Sequence, residues 1–418
     1  MRSFRAVFIA VFIGTAILVA AFVFNSRRPG VEVQQPNAAL VRASGKCAEC
    51  HARETPAAVH EYEMSRHAAR GVNCLDCHKG TPGQETMDHK GFTIAKNLTA
   101  QNCAQCHSEQ YRQFLRSRHA APAWAAVEGP KDFTPEEISF SEQFHPGAVN
   151  RAGNAVGMLE GPIARTNGCQ KCHAIGKPNS DGSIGTCTAC HARHSSSIEL
   201  ARLPETCGQC HMGPDHSQIE IYHESKHGVL FNAQRKRMRL DVPAAKLTTA
   251  DMPVPTCATC HISGIEGIGM THDVTQRLSY FLFAAVSDKR PTWQQGQVNM
   301  KEVCLKCHTK PRIDQFYKDA ETVVASTNDR IKAATAIMDR LYAKGLLTKA
   351  SFDEPIEYLY FDMWHYDGRT AKHGAFMGGA DFVQWHGNYE LVRKLQELQS
   401  MAAELEKNNH RVTEAHAD

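Results

Sequence analysis

Apolar positions gather toward the two ends of the chain, and each gathering predicts an element. Arg2 and Arg5 precede a run from Ala6 to Phe24, nineteen residues without a charge. At ~1.5 Å per residue, a helix of that length nearly crosses a hydrocarbon core of about 30 Å, which predicts a membrane anchor. A cleaved export signal is the alternative, with Val19 and Ala21 offering a small-residue cleavage site. The polar stretch up to residue 46 carries Gly and Pro and reads as a tether. Toward the other end, Val324, Ile331, Met338 and Leu341 recur on one face at helical spacing, and Gly345 supplies a stop. Leu391, Leu395, Leu398 and Leu405 form a second stripe. Both stripes predict helices that pack against the centre of the molecule or join subunits as a short coiled coil. The last residues are polar and predict a frayed end.

Composition changes the picture of the middle. The 418 residues carry a net charge of +3, so the overall balance gives no argument for nucleic acid. The chain has 16 Cys and 23 His. All the cysteines fall into one pattern: CAECH (Cys47, Cys50, His51), CLDCH (Cys74, Cys77, His78), CAQCH (Cys103, Cys106, His107) and CQKCH (Cys169, Cys172, His173), then CTACH (Cys187, Cys190, His191), CGQCH (Cys207, Cys210, His211), CATCH (Cys257, Cys260, His261) and CLKCH (Cys304, Cys307, His308). None is left over for a disulfide. Two thiols three positions apart reach the two vinyl groups of one porphyrin, and the next histidine becomes the proximal iron ligand. Structural zinc needs four protein ligands and has no use for a histidine after every CxxC. Eight such pentads predict an octahaem c-type cytochrome with eight covalently bound haem c groups. The macrocycles then supply much of the apolar interior, and each segment folds with its haem. Many short helices, few strands and long loops follow.

The motifs are unevenly spaced. The fourth to sixth crowd into residues 169–211, which predicts neighbouring haems. Longer segments after the third, sixth and seventh motifs either build a pocket or supply distal ligands. Eight proximal histidines leave fifteen others, and His410 and His416 lie in the polar tail. If every iron has two histidines, the protein only moves electrons; one open iron makes an enzyme. Three Ser-basic-His strings end at His67, His119 and His227, which argues for a shared role as distal ligands. His89, His194 and His272 each follow a motif closely and are read the same way. His60, His145, His223 and His365 are weaker candidates.

The eight-motif pattern, "GPDHSQIEIYHESKHG" after the sixth motif and "KHGAFMGGADFVQWHGNYEL" near the end resemble the hydroxylamine oxidoreductase family over residues 47 to about 400. The resemblance implies seven bis-histidine haems and one five-coordinate catalytic haem, held by Cys169, Cys172 and His173. It implies an acid–base pair facing that iron, which matches Asp215 and His216. A histidine can exchange protons near neutral pH, and a neighbouring carboxylate orients it. The plain alternative is a turn at Gly213-Pro214-Asp215 with His216 on the surface. Tyr222 is a further pocket candidate, although a buried tyrosine is more often a packing residue. Either His386 or His373 would cap a seventh iron; His386 is preferred because Trp385 and Gly387 flank it.

Oxidising members of the family join a tyrosine of a neighbouring subunit in a trimer to the catalytic haem. Phe382 aligns with that position, with Tyr389 nearby. A phenylalanine cannot make the tyrosyl link, which moves the expected direction from hydroxylamine oxidation toward reduction of nitrite or hydroxylamine to ammonium. The sequence therefore predicts a mainly α multihaem cytochrome c: an anchor over 1–28, a tether over 29–46, a loop-rich octahaem core over 47–315 and a helical region over 316–418. It is expected on the periplasmic side, anchored by residues 6–24, with a cytochrome or quinol-linked redox partner and a homotrimeric state implied by the resemblance. The rival expectation is a membrane-anchored electron-transfer protein whose irons are all saturated.

Overall fold

The computed structural model describes residues 14–16 and 45–415. The apolar run at Ala6–Phe24 and its tether lie almost wholly outside the described residues. Among the described residues, no helix is long and apolar enough to cross a membrane.

Among the described residues the chain is mainly helical, with one antiparallel hairpin of Thr86–His89 against Phe92–Ala95. Several pentads are single helical turns in their own right: Cys74–His78, Cys169–His173 and Cys257–His261. One turn brings residues three apart onto a common face, so both thiols of a pentad point the same way. Polar caps fix where two of these turns begin. Asn73 pairs reciprocally with Asp76, and Thr256 pairs with Thr259, each satisfying backbone N–H groups at the helix start.

The two apolar stripes near the carboxy terminus become the helices Lys310–Ala343 and Glu390–Ala415. Val324, Ile331, Met338 and Leu341 are buried along the first. That helix ends at Ala343, and Gly345 follows with a φ of 67°, a left-handed turn suited to glycine. Ile331, Met338 and Leu341 share one cluster with Leu391, Leu398, Ile356 and Met363, against which Leu395 and Leu405 also pack. Each stripe is thus buried largely by the other within one chain. The first of these helices starts at Lys310, right after His308 and before the boundary expected at residue 316. The second continues to Ala415, through the tail expected to fray.

Between them runs a helical arm that positions the site. Pro355–Asp362 passes through a π-turn at Met363–Asp367 into Gly368–Met377. The last segment packs on Lys310–Ala343 and on Gln218–Glu224, the short helix that follows the sixth motif. A second π-turn covers Gln384–Tyr389. Such widened turns re-aim side chains and recur at functional sites; here they carry His365 and His386.

Candidate haem centres and active site

Six of the motif histidines face a second imidazole. The ring centroids lie 5.9 Å apart in His51–His89, 6.0 Å in His107–His67 and 6.3 Å in His78–His194. They lie 5.8 Å apart in His211–His119, 6.4 Å in His191–His272 and 6.0 Å in His308–His227. Two imidazoles on opposite sides of one iron, each with a metal–nitrogen bond of about 2 Å, would stand roughly 6 Å apart by this measure. The donor set therefore fits iron held between histidines. Zinc-type clustering is not seen: among the described residues no three His, Cys, Asp or Glu side chains converge as an ion site, and every cysteine is free of disulfides.

The repeated Ser-basic-His string has a local physical cause. Ser65 accepts from the backbone N–H of Ala68 and Ser225 from that of Gly228, each capping a short helix. Ser117 accepts from the N–H of His119. In each string the serine fixes the turn that aims the histidine.

Sulfurs of neighbouring motifs also lie close together. Cys172 meets Cys210, joining the fourth and sixth motifs, and Cys207 meets Cys257 of the seventh. Cys103 of the third motif meets Cys187 of the fifth. Crowding in sequence is thus only part of the neighbour pattern, because the fifth motif reaches back to the third.

The fourth motif is surrounded differently. Nδ1 of His173 donates to the Ala123 carbonyl at 2.5 Å, which leaves Nε2 for a metal. The His216 ring stands edge-on to it at 6.3 Å and lies 5.0 Å from the Phe283 ring. Nδ1 of His216 is 2.6 Å from the Asp215 carboxylate. The same carboxylate oxygen takes Nε2 of His365 at 3.2 Å, with Arg369 Nη1 at 3.7 Å. Burial alone would raise the Asp215 carboxyl, but hydrogen bonds from His216 and His365 outweigh it and hold the group well below the carboxylate range. Burial, partly offset by Asp215, lowers His365.

The backbone beneath this cluster is held by the Gly368–Met377 helix. Thr370 donates to the Pro214 carbonyl at 3.1 Å and lies 3.2 Å from the Ser217 hydroxyl. Arg369 Nε donates to the Phe283 carbonyl at 2.9 Å. Lys372, fully buried, donates to the carbonyls of Ala284 and Ala285 at 2.7 and 3.1 Å. Two cations one turn apart therefore grip three consecutive carbonyls and set the Phe283 ring against His216.

Other sequence candidates take different places. Tyr222 is a core residue and not part of this cluster: it is buried against Phe231 and Val254, and its hydroxyl donates to the Pro255 carbonyl at 2.9 Å. Its phenol is thereby used up beside the seventh motif. His386 is exposed, 3.1 Å from the Asp381 carboxylate and against the Phe382 ring, and faces no motif histidine among the described residues. Trp385, expected to support close haem packing there, is 59% exposed. His373 is buried against Phe283. Phe382 is buried and Tyr389 exposed. His145 is occupied by the Arg116 carbonyl and Arg290, while His223 stands edge-on to Tyr222. His261 faces no imidazole among the described residues; its charged neighbours are Arg277 and His211. His365 and Arg369 are the members of the cluster that sequence reasoning passed over or ranked low. The signal was their i, i+4 spacing, invisible as function without the contact to Asp215.

Residues 70–355 match the family described as seven-times multi-haem cytochrome CxxCH. The chain belongs to this family. It carries covalently bound haem c. The matched span holds seven of the eight pentads, with CAECH at residues 47–51 lying before it.

Over 359 residues the multihaem chain is 25% identical to a probable nitrite reductase–hydroxylamine oxidoreductase fusion protein of Kuenenia stuttgartiensis, covering 72% of this chain and 38% of that protein. It thus spans about two fifths of that relative's length. A hypothetical multiheme protein shares the fold at a TM-score of 0.78, with 21% identity, over 91% of this chain and all of that one. The reducing HAO-like protein complex of Kuenenia stuttgartiensis gives a TM-score of 0.67 and 20% identity, over 88% of this chain and 86% of that one.

Proposed function

We propose that this multihaem cytochrome is an exported oxidoreductase that reduces nitrite or hydroxylamine toward ammonium, with eight haems of which the one on Cys169 and Cys172 is the site of chemistry. The observation that carries the reading is the Asp215 carboxylate, bound at once by His216 and His365 and flanked by Arg369, on the ring that faces His173. When bound, the haem supplies the iron that takes the nitrogen compound and the electrons for its reduction. His216, tethered through Nδ1, keeps Nε2 for delivering protons. Asp215 orients that ring. His365 and Arg369 hold Asp215 in place, and the guanidinium offsets the carboxylate's charge beside the site. Phe283, held by Arg369 and Lys372, limits water at His216. The six facing histidine pairs would each hold a haem between two imidazoles, and such haems would supply single-electron transfer. The phenylalanine at position 382 supports the reductive direction. A redox partner supplies electrons, and the apolar run at 6–24 supports a location on the membrane's outer face.

A second reading has its own observation. The 6.3 Å between His173 and His216 matches the facing pairs, so His216 would cap that iron and the open one would belong to His261. Electron paramagnetic resonance of the ferric, fully loaded protein separates the cases. The proposal expects one high-spin haem in about eight, unchanged in number by His216→Ala while turnover falls. The second reading expects His216→Ala to add a high-spin haem. Entirely low-spin haem in the unaltered protein defeats both and leaves an electron-transfer protein.

A further inference from the structure

Arg118, half-buried, and Arg290, buried, form a cationic pair that meets no carboxylate among the described residues. Their guanidinium carbons lie 5.3 and 4.6 Å from the centre of the Phe281 ring. Arg290 is only 4% exposed, and its Nη2 meets Nδ1 of His145 at 3.1 Å. That is a neutral partner: Nε2 of His145 already serves the Arg116 carbonyl. Arg118 makes no hydrogen bond or ion pair among the described residues, and Arg290 and Arg151 add like charge beside it. Glu142 acts on Arg118 only from a distance; its carboxylate is taken by the backbone N–H groups of Gly147, Val149 and Asn150. Asp273 acts on Arg290 in the same remote way and is bound instead to Thr275.

A buried guanidinium cannot shed its proton, and an unpaired buried charge is strongly unfavourable. An aromatic face compensates for only part of that. Such an arrangement is stable when an anion completes it, and the planar fork of arginine suits a carboxylate. The position identifies the source. Arg118 directly precedes His119, whose ring faces His211 of the sixth motif at 5.8 Å. The charge of Arg151 acts on both Arg118 and His173, which puts the fourth motif in the same neighbourhood. Haem c, which this chain carries, brings two propionate carboxylates to each site.

We propose that Arg118 and Arg290 receive propionate carboxylates of the haems at the fourth and sixth motifs, and so raise the reduction potential there. This rests on covalent haem and not on the proposed reaction. Removing a positive charge beside a propionate leaves more negative charge near the iron and favours its oxidised form.

The test is a spectroelectrochemical titration of the full, haem-loaded chain carrying Arg118→Gln, Arg290→Gln or Arg118→Lys, with haem content and thermal midpoint measured on each. The expected result is full haem content and a shift of at least one low-spin haem to lower potential in both glutamine variants. The lysine variant restores most of the potential. Unchanged potentials in both glutamine variants at full haem content overturn the assignment. So does a raised KM for nitrite without any shift in potential, which would make the cluster a site for a free oxyanion. If Arg118→Gln loads haem poorly, Arg290→Gln, farther from His119, decides.

Discussion

Nε2 of His365 and the carboxylate of Asp215, 150 positions apart in sequence, meet at 3.2 Å on the oxygen that also binds His216. The contact makes Asp215 a shared anchor for two imidazoles. Asp215→Asn keeps the shape and removes the charge. Its expected effect is a fall in turnover of roughly 10²-fold, the lower end for general acid–base groups, with full haem content. His365→Gln, acting through Asp215, is expected to cost about 10-fold. Equal losses of haem in either variant would show a structural role instead, and steady-state rates beside a haem assay distinguish the two.

Lys372 tests whether the Phe283 wall matters. Its burial pushes the ammonium down to about 7, yet its two carbonyl partners favour the charged form. Lys372→Met frees the carbonyls of Ala284 and Ala285 and loosens the segment against His216. Misplacement by about 1 Å near a reacting centre can cost ~10²-fold in rate. The expected outcome is lower kcat with little change in KM, an altered high-spin signal, and partial recovery in Lys372→Arg.

His145 sets a pH dependence of stability. Burial, then the nearby Arg290, lowers this imidazole to about 3, below its unfolded value of about 6.5. Between those values the unfolded chain holds a proton on this group that the folded chain does not. Its contribution is therefore complete above about pH 6.5 and is lost progressively as pH falls toward 3, by at most ~1.4 kcal/mol per pH unit. Denaturation midpoints followed from pH 7 to 4 should fall less steeply for His145→Asn than for the unaltered protein.

The carboxy-terminal helices should tolerate little loss of volume. Leu398 is fully buried in the cluster that joins Ile331 and Leu341. Leu398→Ala is expected to destabilise this region by about 2–5 kcal/mol. A lowered thermal midpoint with an unchanged visible spectrum would show that this cluster is separate from the haem sites.

The sequence by itself determined the haem chemistry, because thioether attachment is written locally as Cys-x-x-Cys-His and needs no distant partner. It also determined the two long helices, since a stripe at 3.6-residue spacing is a property of one segment. What the stripes would face was not legible: apolar burial is non-directional, and either partner would have served. The six histidines read as distal ligands each came to face a motif imidazole, but which one each met depended on folding. His67 turns to the third motif and His227 to the eighth. His386 and Tyr222 went elsewhere because Asp381 and the Pro255 carbonyl supplied closer partners. Only the tertiary structure decided that His365 and Arg369 join Asp215. A hydrogen bond depends on position and angle within about an ångström, and a separation of 150 residues leaves both to the packing of the whole chain.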